Sequence, residues 1–236
     1  MKTIAIIVAG GSGTRFGGDV PKQFALLAGR PVLMRSIEAI DRALAGADHS
    51  IKVVLSKALW PQWGELKRKF DFNVEHALVD GGMTRYGSVY NALMSLSDVG
   101  VDEVVLVHDA ARPLVPAAVV REVALAAGQS PEWGVVPVVP LTDSVRRVDT
   151  YGGSVAVDRA SLRAVQTPQG FNAGVLIKAY ALTACKDPSM FTDDASVFEE
   201  IGGRIRMVDG DRDNIKITYP ADLLLAEQIL KERQDA

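Results

Sequence analysis

The stretch Thr3-Ile4-Ala5-Ile6-Ile7-Val8-Ala9-Gly10-Gly11-Ser12-Gly13-Thr14-Arg15-Phe16-Gly17-Gly18 decides how the rest of the chain is read. Its first half is an unbroken apolar run rich in β-branched residues, the pattern of a strand covered on both faces. Its second half places five glycines between positions 10 and 18, with Arg15 among them and Lys22 soon after. Glycine lets backbone approach a ligand closely, so that successive N–H groups converge on phosphate oxygens. Two familiar phosphate loops do not fit. No Gly-Lys-Ser/Thr closes a P-loop, and the third glycine of a G-x-G-x-x-G dinucleotide fingerprint would fall on Phe16. The plainer alternative is a tight strand-to-helix turn, but a turn alone needs neither five glycines nor the cations that follow them.

Outward from this stretch, short runs of strand character recur at Ile51–Leu55, Asn73–Leu78, Glu103–His108 and Gly134–Val139. Between them Leu33, Ile37, Ile40 and Leu44 step at helical spacing, as do Val89, Leu93 and Leu96, and Val119, Val120, Val123 and Ala127 after Pro116. Strands alternating with helices predict βαβ crossovers, hence an α/β fold of Rossmann-like type with a mostly parallel sheet and helices on both faces. Residues 1–236 read as a single domain. The alternation breaks at Pro140, and residues 141–166 read as an extended β-arm turning at Thr150-Tyr151-Gly152-Gly153. A lone hairpin is marginally stable in water, so the arm is expected to pack on a second copy of the chain. Helices at Ala173–Cys185 and Asp193–Ile201, strands at Arg204–Val208 and Ile215–Ile217, and a closing helix from Pro220 complete the reading.

Composition removes several classes of function. Among 236 residues, 26 Lys and Arg face 29 Asp and Glu, a formal charge of −3, which argues against a nucleic-acid binder relying on bulk electrostatics. An anionic ligand must then meet a local basic cluster. The single Cys185 excludes a disulfide scaffold, a cysteine zinc site and CxxC redox chemistry, and fits a reducing compartment. The apolar run Ile4–Ala9 is too short for a bilayer span or a signal core, so a cytoplasmic protein without membrane contact is expected. His49, His76 and His108 lack metal-ligand spacing and read as structural, and Lys67-Arg68-Lys69 reads as a solvated helix face.

The glycine loop with Pro21-Lys22-Gln23 resembles the signature of nucleotidyltransferases that join a nucleoside triphosphate to a sugar or alditol phosphate. Further motifs narrow the resemblance: Asp80-Gly81-Gly82 with Arg85 and Ser88, His108-Asp109-Ala110-Ala111-Arg112-Pro113, Val157-Asp158-Arg159, Gln166-Thr167-Pro168-Gln169, Thr192-Asp193-Asp194-Ala195-Ser196 and Asp213-Asn214-Ile215-Lys216-Ile217-Thr218. In this order, over essentially the whole chain, they resemble the 2-C-methyl-D-erythritol 4-phosphate cytidylyltransferase family of the non-mevalonate isoprenoid pathway. Such a reaction sends a phosphomonoester oxygen to the α-phosphorus of CTP and expels pyrophosphate. A monoester with a second pKa near 6 is already largely ionised at neutral pH and needs no general base. The obstacle is anion meeting polyanion, and at about 4 Å and an effective dielectric of roughly 20 each fixed cation offsets about 4 kcal/mol of that repulsion before solvation costs.

The resemblance implies specific roles. Arg15 and Lys22 would flank the triphosphate and stabilise charge at the α-phosphorus and on the leaving pyrophosphate. Arg159 and Lys216 would hold methylerythritol phosphate in line for attack. The nucleotide would lie on Ala9, Gly10, Gly11, Ser12 and Gly13, with Gly82, Met83 and Ser88 reading cytosine. Asp109, Ala110 and Arg112 would contact ribose and acceptor, joined on the acceptor side by Ser144 and Thr218. Magnesium would accompany the triphosphate, with Asp109 as the protein oxygen, and the arm would complete a partner's site in a homodimer. Ser144 and Arg146 stand where Thr and Lys are usual, and Met83 where an acid is frequent. Two alternatives are a ribitol-5-phosphate cytidylyltransferase, which shares the glycine loop, and a non-catalytic nucleotide-binding module, which would be expected to lack Arg15, Lys22 or Lys216.

Overall fold

A computed structural model describes residues 1–10, 16, 21–97, 99–100 and 102–234. In chain order, β1 (Thr3–Val8) runs into the glycine loop, and a small antiparallel pair, β2 (Leu26–Leu27) and β3 (Arg30–Pro31), precedes α1 (Val32–Leu44). There follow β4 (His49–Val54), α2 (Trp60–Lys69), β5 (Ala77–Val79), α3 (Arg85–Met94), β6 (Val104–Asp109), α4 (Ala117–Ala127) and β7 (Trp133–Pro140). A hairpin of β8 (Val145–Val148) and β9 (Ser154–Val157) leads to β10 (Arg163–Val165), β11 (Gln169–Asn172), α5 (Ala173–Thr183), α6 (Asp194–Glu200), β12 (Arg204–Asp209) and α7 (Pro220–Gln234).

The apolar strands are continuous in sequence because each face of the sheet has its own helical cover. Along β1, Ala5 and Ile7 pack with α1 and α4, while Ile4 and Ile6 pack with α3 and α5. Along β6, Val104 and Leu106 join the first layer and Val105 and Val107 the second. Full burial of each Val, Leu or Ile among them contributes roughly 1.5–3 kcal/mol, so these strands are held from both sides. Leu33, Ile37, Ile40 and Leu44, the expected stripe of α1, are all buried. The main sheet has the order β10-β7-β11-β6-β1-β4-β5, with β12 also paired to β7. The β1–β4, β1–β6, β4–β5 and β7–β12 pairs are parallel, and β10 and β11 run antiparallel to their neighbours. A mostly parallel sheet with helices on both faces is therefore what the chain forms. Among the described residues no helix is long and apolar enough to cross a membrane.

Several boundaries differ from the sequence expectation. The strand expected over Asn73–Leu78 shortens to Ala77–Val79, because residues 73–76 spend their polar groups locally: Asn73 Nδ2 donates to Asp71, and the His76 ring meets Val74 O. Ile215–Ile217 is not a strand. Ile217 instead donates its N–H to Ala111 O (2.8 Å) and buries its side chain against Leu27, Leu114, Ala226 and Ile229 beneath α7. Segment 141–166 divides in two: the hairpin proper ends at Val157, and β10 returns to the main sheet beside β7. Its turn is closed by Asp149, whose Oδ1 accepts the N–H groups of Tyr151 and Gly153 (2.8 Å each). Val148, Tyr151 and Val155 on this hairpin are exposed.

Candidate active site

The last residues of four parallel strands lie in one row, Val8 beside both Val54 and Asp109, and Val54 beside Val79. The segments that leave them therefore emerge together at the carboxyl edge, where open α/β sheets take ligands. Ala9 donates its N–H to Val54 O (2.8 Å), which draws the start of the glycine loop toward β4. Gly82 donates its N–H to Ser88 Oγ (3.0 Å) in the first turn of α3. A Cβ on Gly10 would lie 2.8 Å from that same hydroxyl, and a Cβ on Gly82 only 2.5 Å from the carbonyl carbon of Gly87. Three chain segments thus approach so closely that backbone excludes any side chain at Gly82 and the Ser88 hydroxyl would have to shift for one at Gly10, and Met83 is left fully exposed beside them.

Asp109 ends β6 and is the electrostatic hub of the edge. Lys216 Nζ lies 2.7 Å from its Oδ2, Arg85 Nε 3.4 Å from its Oδ1, and Arg112 Nε 4.0 Å from Oδ2. Burial alone would raise its pKa, but Arg85, Lys216 and Arg112 outweigh burial and hold the carboxyl well below the usual carboxylate range. Arg112 is itself pulled down by burial against the attraction of Asp109, and its Nη1 donates to Asn214 O (2.6 Å). Lys216 remains half-exposed while bonded to the hub.

A second carboxylate stands behind the first. Arg85 Nη2 meets Asp194 Oδ2 at 2.6 Å, and Tyr180 donates its hydroxyl to Asp194 Oδ1 at 2.6 Å. Burial would lower the Arg85 pKa, yet Asp194 and Asp109 together raise it, while burial and then Asp194 push the Tyr180 hydroxyl upward. Gln169 Oε1 accepts the N–H groups of Asp194 (3.1 Å) and Ala195 (3.0 Å), which ties the start of α6 to β11. Asp193 caps α6 in a capping box with Ser196. On the other side, Gln166 Nε2 donates to Asp211 O (2.7 Å), its Oε1 accepts from Asp211 N–H (3.1 Å), and Asn214 Nδ2 donates to Thr167 O (3.0 Å).

Of the residues expected from sequence, Ala9, Gly10, Gly82 and Ser88 come together, as do Asp109, Arg112 and Lys216, with Ala110 buried next to the hub. Thr218 lies two residues beyond Lys216 and donates its hydroxyl to Lys216 O (3.2 Å). Gly11, Ser12, Gly13 and Arg15 lie outside the described residues, and Lys22 opens the short 3-10 turn Lys22–Phe24. Arg159 and Ser144 are exposed on the arm, where Arg159 donates to Thr142 O and, among the described residues, makes no ion pair with the hub. Arg85, Asp194, Gln166, Thr167 and Asn214 all fall inside the recognised motifs, but the sequence assigns them no role. Their spacing carries no signal, since Arg85 and Asp194 meet only after folding across 109 positions. Among the described residues no group of three His, Cys, Asp or Glu side chains could hold a metal ion. The donor set fits magnesium only as an ion held chiefly by phosphate and water, with Asp109 offering a carboxylate oxygen.

Known proteins share this fold and much of the sequence. The family model "IspD: 2-C-methyl-D-erythritol 4-phosphate cytidylyltransferase" matches residues 3–232. The chain is 40% identical to the 2-C-methyl-D-erythritol 4-phosphate cytidylyltransferase of Bacteroides fragilis over 228 residues, covering 96% of this chain and 98% of that one. It is 43% identical to the Porphyromonas gingivalis protein of the same name over 235 residues, covering 97% and 98%. The crystal structure of the Thermus thermophilus protein superposes with a TM-score of 0.78 at 31% identity, covering 98% and 100%. That of Francisella tularensis superposes at 0.79 and 29%, covering 97% and 99%. These names do not favour the ribitol phosphate alternative. A match along nearly the whole length, with the Asp109 hub and the glycine contacts in place, shows that the chain belongs to the 2-C-methyl-D-erythritol 4-phosphate cytidylyltransferase family of nucleotidyltransferases.

Proposed function

We propose that this chain transfers the cytidylyl group of CTP to 2-C-methyl-D-erythritol 4-phosphate, giving 4-diphosphocytidyl-2-C-methyl-D-erythritol and pyrophosphate. An oxygen of the acceptor phosphate forms a bond to the α-phosphorus while the bond from that phosphorus to the α–β bridging oxygen breaks. The observation that carries this reading is the hub: three cations, Arg85, Arg112 and Lys216, converge on one carboxylate beside the Gly10, Gly82 and Ser88 contact. Counted against Asp109 and Asp194, these three cations leave one net positive charge to face an anion.

Lys216 is the most accessible member, half-exposed and bonded at 2.7 Å, so an arriving phosphate competes with Asp109 for its ammonium. Arg112 is fixed from two sides and positions rather than travels. The backbone of Ala9, Gly10, Gly82 and Met83, with Ser88 behind them, offers donors and acceptors for the cytosine edge, and Gly11, Ser12 and Gly13 supply N–H groups to the triphosphate. Arg15 and Lys22 stabilise the charge that develops at the α-phosphorus and on pyrophosphate, a role whose removal typically costs about 10²–10³ in rate. Asp109 and Ala110 meet the ribose, and Arg159, Ser144 and Thr218 complete the acceptor side, Arg159 and Ser144 from the arm of a partner copy in a homodimer. Magnesium, when bound, neutralises part of the triphosphate charge, with Asp109 as its protein oxygen. The lone exposed Cys185 suits a cytoplasmic setting.

A panel of CTP, UTP and ATP against methylerythritol phosphate and ribitol 5-phosphate, read as pyrophosphate release with magnesium, tests the reading. Turnover is expected with CTP and methylerythritol phosphate, and turnover of ribitol phosphate alone would overturn it.

A further inference from the structure

Lys22 begins a three-residue turn whose other two members, Gln23 and Phe24, are buried. The turn is closed by Phe24 N–H on Pro21 O (2.8 Å) and Ala25 N–H on Lys22 O (3.1 Å). It is held from α1, where Val32 donates its N–H to Ala25 O (2.9 Å), and by the Phe24 ring, which lies parallel to the Trp63 indole at 6.1 Å between centroids and an interplanar angle of 6°. Trp63 comes from α2, is 1% exposed, and meets Phe72 edge-on at 5.6 Å. Aromatic pairs in such geometry contribute beyond their buried area, and their orientation is set by the ring that is itself fixed.

Trp63 is fixed by His76. The indole Nε1–H donates to His76 Nε2 at 3.0 Å, and His76 Nδ1 lies 2.7 Å from Val74 O. An indole N–H only donates and a carbonyl oxygen only accepts, so the imidazole is neutral with its proton on Nδ1 and both nitrogens committed. Burial lowers the His76 pKa in the sense this arrangement requires. His76 also stands directly before β5, the strand that delivers Asp80-Gly81-Gly82 to the carboxyl edge. One ring thereby joins the wall behind the Lys22 turn to the strand carrying the nucleotide loop.

We propose that Trp63 and His76 are positioning residues for the transfer reaction: the His76 acceptor orients Trp63, Trp63 seats Phe24, and Phe24 places Lys22. This rests on the assignment of Lys22 to the triphosphate. Neither ring touches substrate, and their effect is on where the ammonium sits in the transition state.

The test is a kinetic cycle on the full chain with CTP and methylerythritol phosphate, using His76→Phe, Lys22→Ala and the double variant. His76→Phe keeps an aromatic ring and removes the acceptor. Because small misplacements of a charged group cost up to about 10²-fold, kcat is expected to fall roughly 10-fold in His76→Phe, with KM for methylerythritol phosphate within about twofold of wild type. The double variant should be no slower than Lys22→Ala, and His76→Gln, whose amide oxygen can accept from the indole, should recover most of the loss. If the two losses multiply while Lys22→Ala is slow, the rings act elsewhere and the proposal is overturned with Lys22 intact. An unchanged kcat in His76→Phe overturns it as well. A Lys22→Ala enzyme at full rate removes the Lys22 assignment and the proposal with it. Should His76→Phe fail to fold, Trp63→Phe enters the same cycle with the same expected outcomes.

Discussion

Acid should weaken this protein through His108 before it reaches the carboxylates. His108 is wholly buried, one residue before the hub, and its Nε2–H donates to Arg112 O at 3.1 Å. Thr167 Oγ1 accepts the Asp109 N–H (3.0 Å) and donates its own proton to His108 Nδ1 (3.1 Å). The neutral ring satisfies every partner, and a second proton would face the Thr167 hydroxyl that now donates to it. Burial lowers its pKa to about 4, against the partial support of Asp109. In the unfolded chain the ring binds a proton below about 6.5, so between about pH 6.5 and 4 the unfolded state carries more protons and stability falls as pH falls. The stabilisation is complete above about pH 6.5 and gone below about 4, about 3 kcal/mol in all, most of which disappears between pH 7 and 4.5. Urea unfolding of wild type and His108→Gln at pH 7, 6, 5 and 4.5 reads this directly. The variant is expected to start lower but to lose about 2–3 kcal/mol less over the range, with unchanged m values. His49 and His76 titrate in both proteins and cancel in the difference. Parallel stability curves would refute the argument that His108 is held neutral.

Arg85→Met leaves the buried Asp194 carboxylate without its cation and with the Tyr180 hydroxyl as donor, so a loss of about 3–5 kcal/mol is expected by thermal or urea unfolding, partly restored by adding Asp194→Asn; a loss below about 1 kcal/mol would contradict the pairing. Gly82→Ala drives a methyl into the Gly87 backbone and should weaken CTP binding and stability together, whereas Gly10→Ala meets only the Ser88 hydroxyl and should be relieved by Ser88→Ala, as calorimetry with CTP can show. Replacing residues 145–157 with a short Gly-Ser turn, which spares β10, is expected to give an inactive monomer by sedimentation and turnover assay, and an active monomer would end the shared-site proposal.

What the sequence made legible is what leaves a periodic or compositional trace. β1, β4, β6 and β7 were readable because both their faces are buried, and α1 because its inward stripe is complete. β11 was not: Gln169-Gly170-Phe171-Asn172 has no strand pattern, since Gln169 is spent on the start of α6 and Asn172 caps α5 through Val175 N–H. Ile215–Ile217 looked like a strand for the opposite reason, its isoleucines being placed by packing under α7 rather than by a ladder. At the site, glycines announce close approach, so Gly10 and Gly82 were found. Arg85 and Asp194 sit inside recognisable motifs, yet their pairing depends on α3 and α6 meeting on one face of the sheet.

Lys216 is held in a short clasp. Asn214, fully buried, is bonded to Gln166, Thr167 and Arg112 one position before Ile215, and Ile217 is bonded to Ala111 one position after the lysine. Fixing backbone costs roughly 1–2 kcal/mol per residue, and here that entropy has been surrendered during folding. At this contact an incoming acceptor therefore freezes only the rotamers of the lysine side chain and no backbone, and more of the energy of that contact remains for affinity.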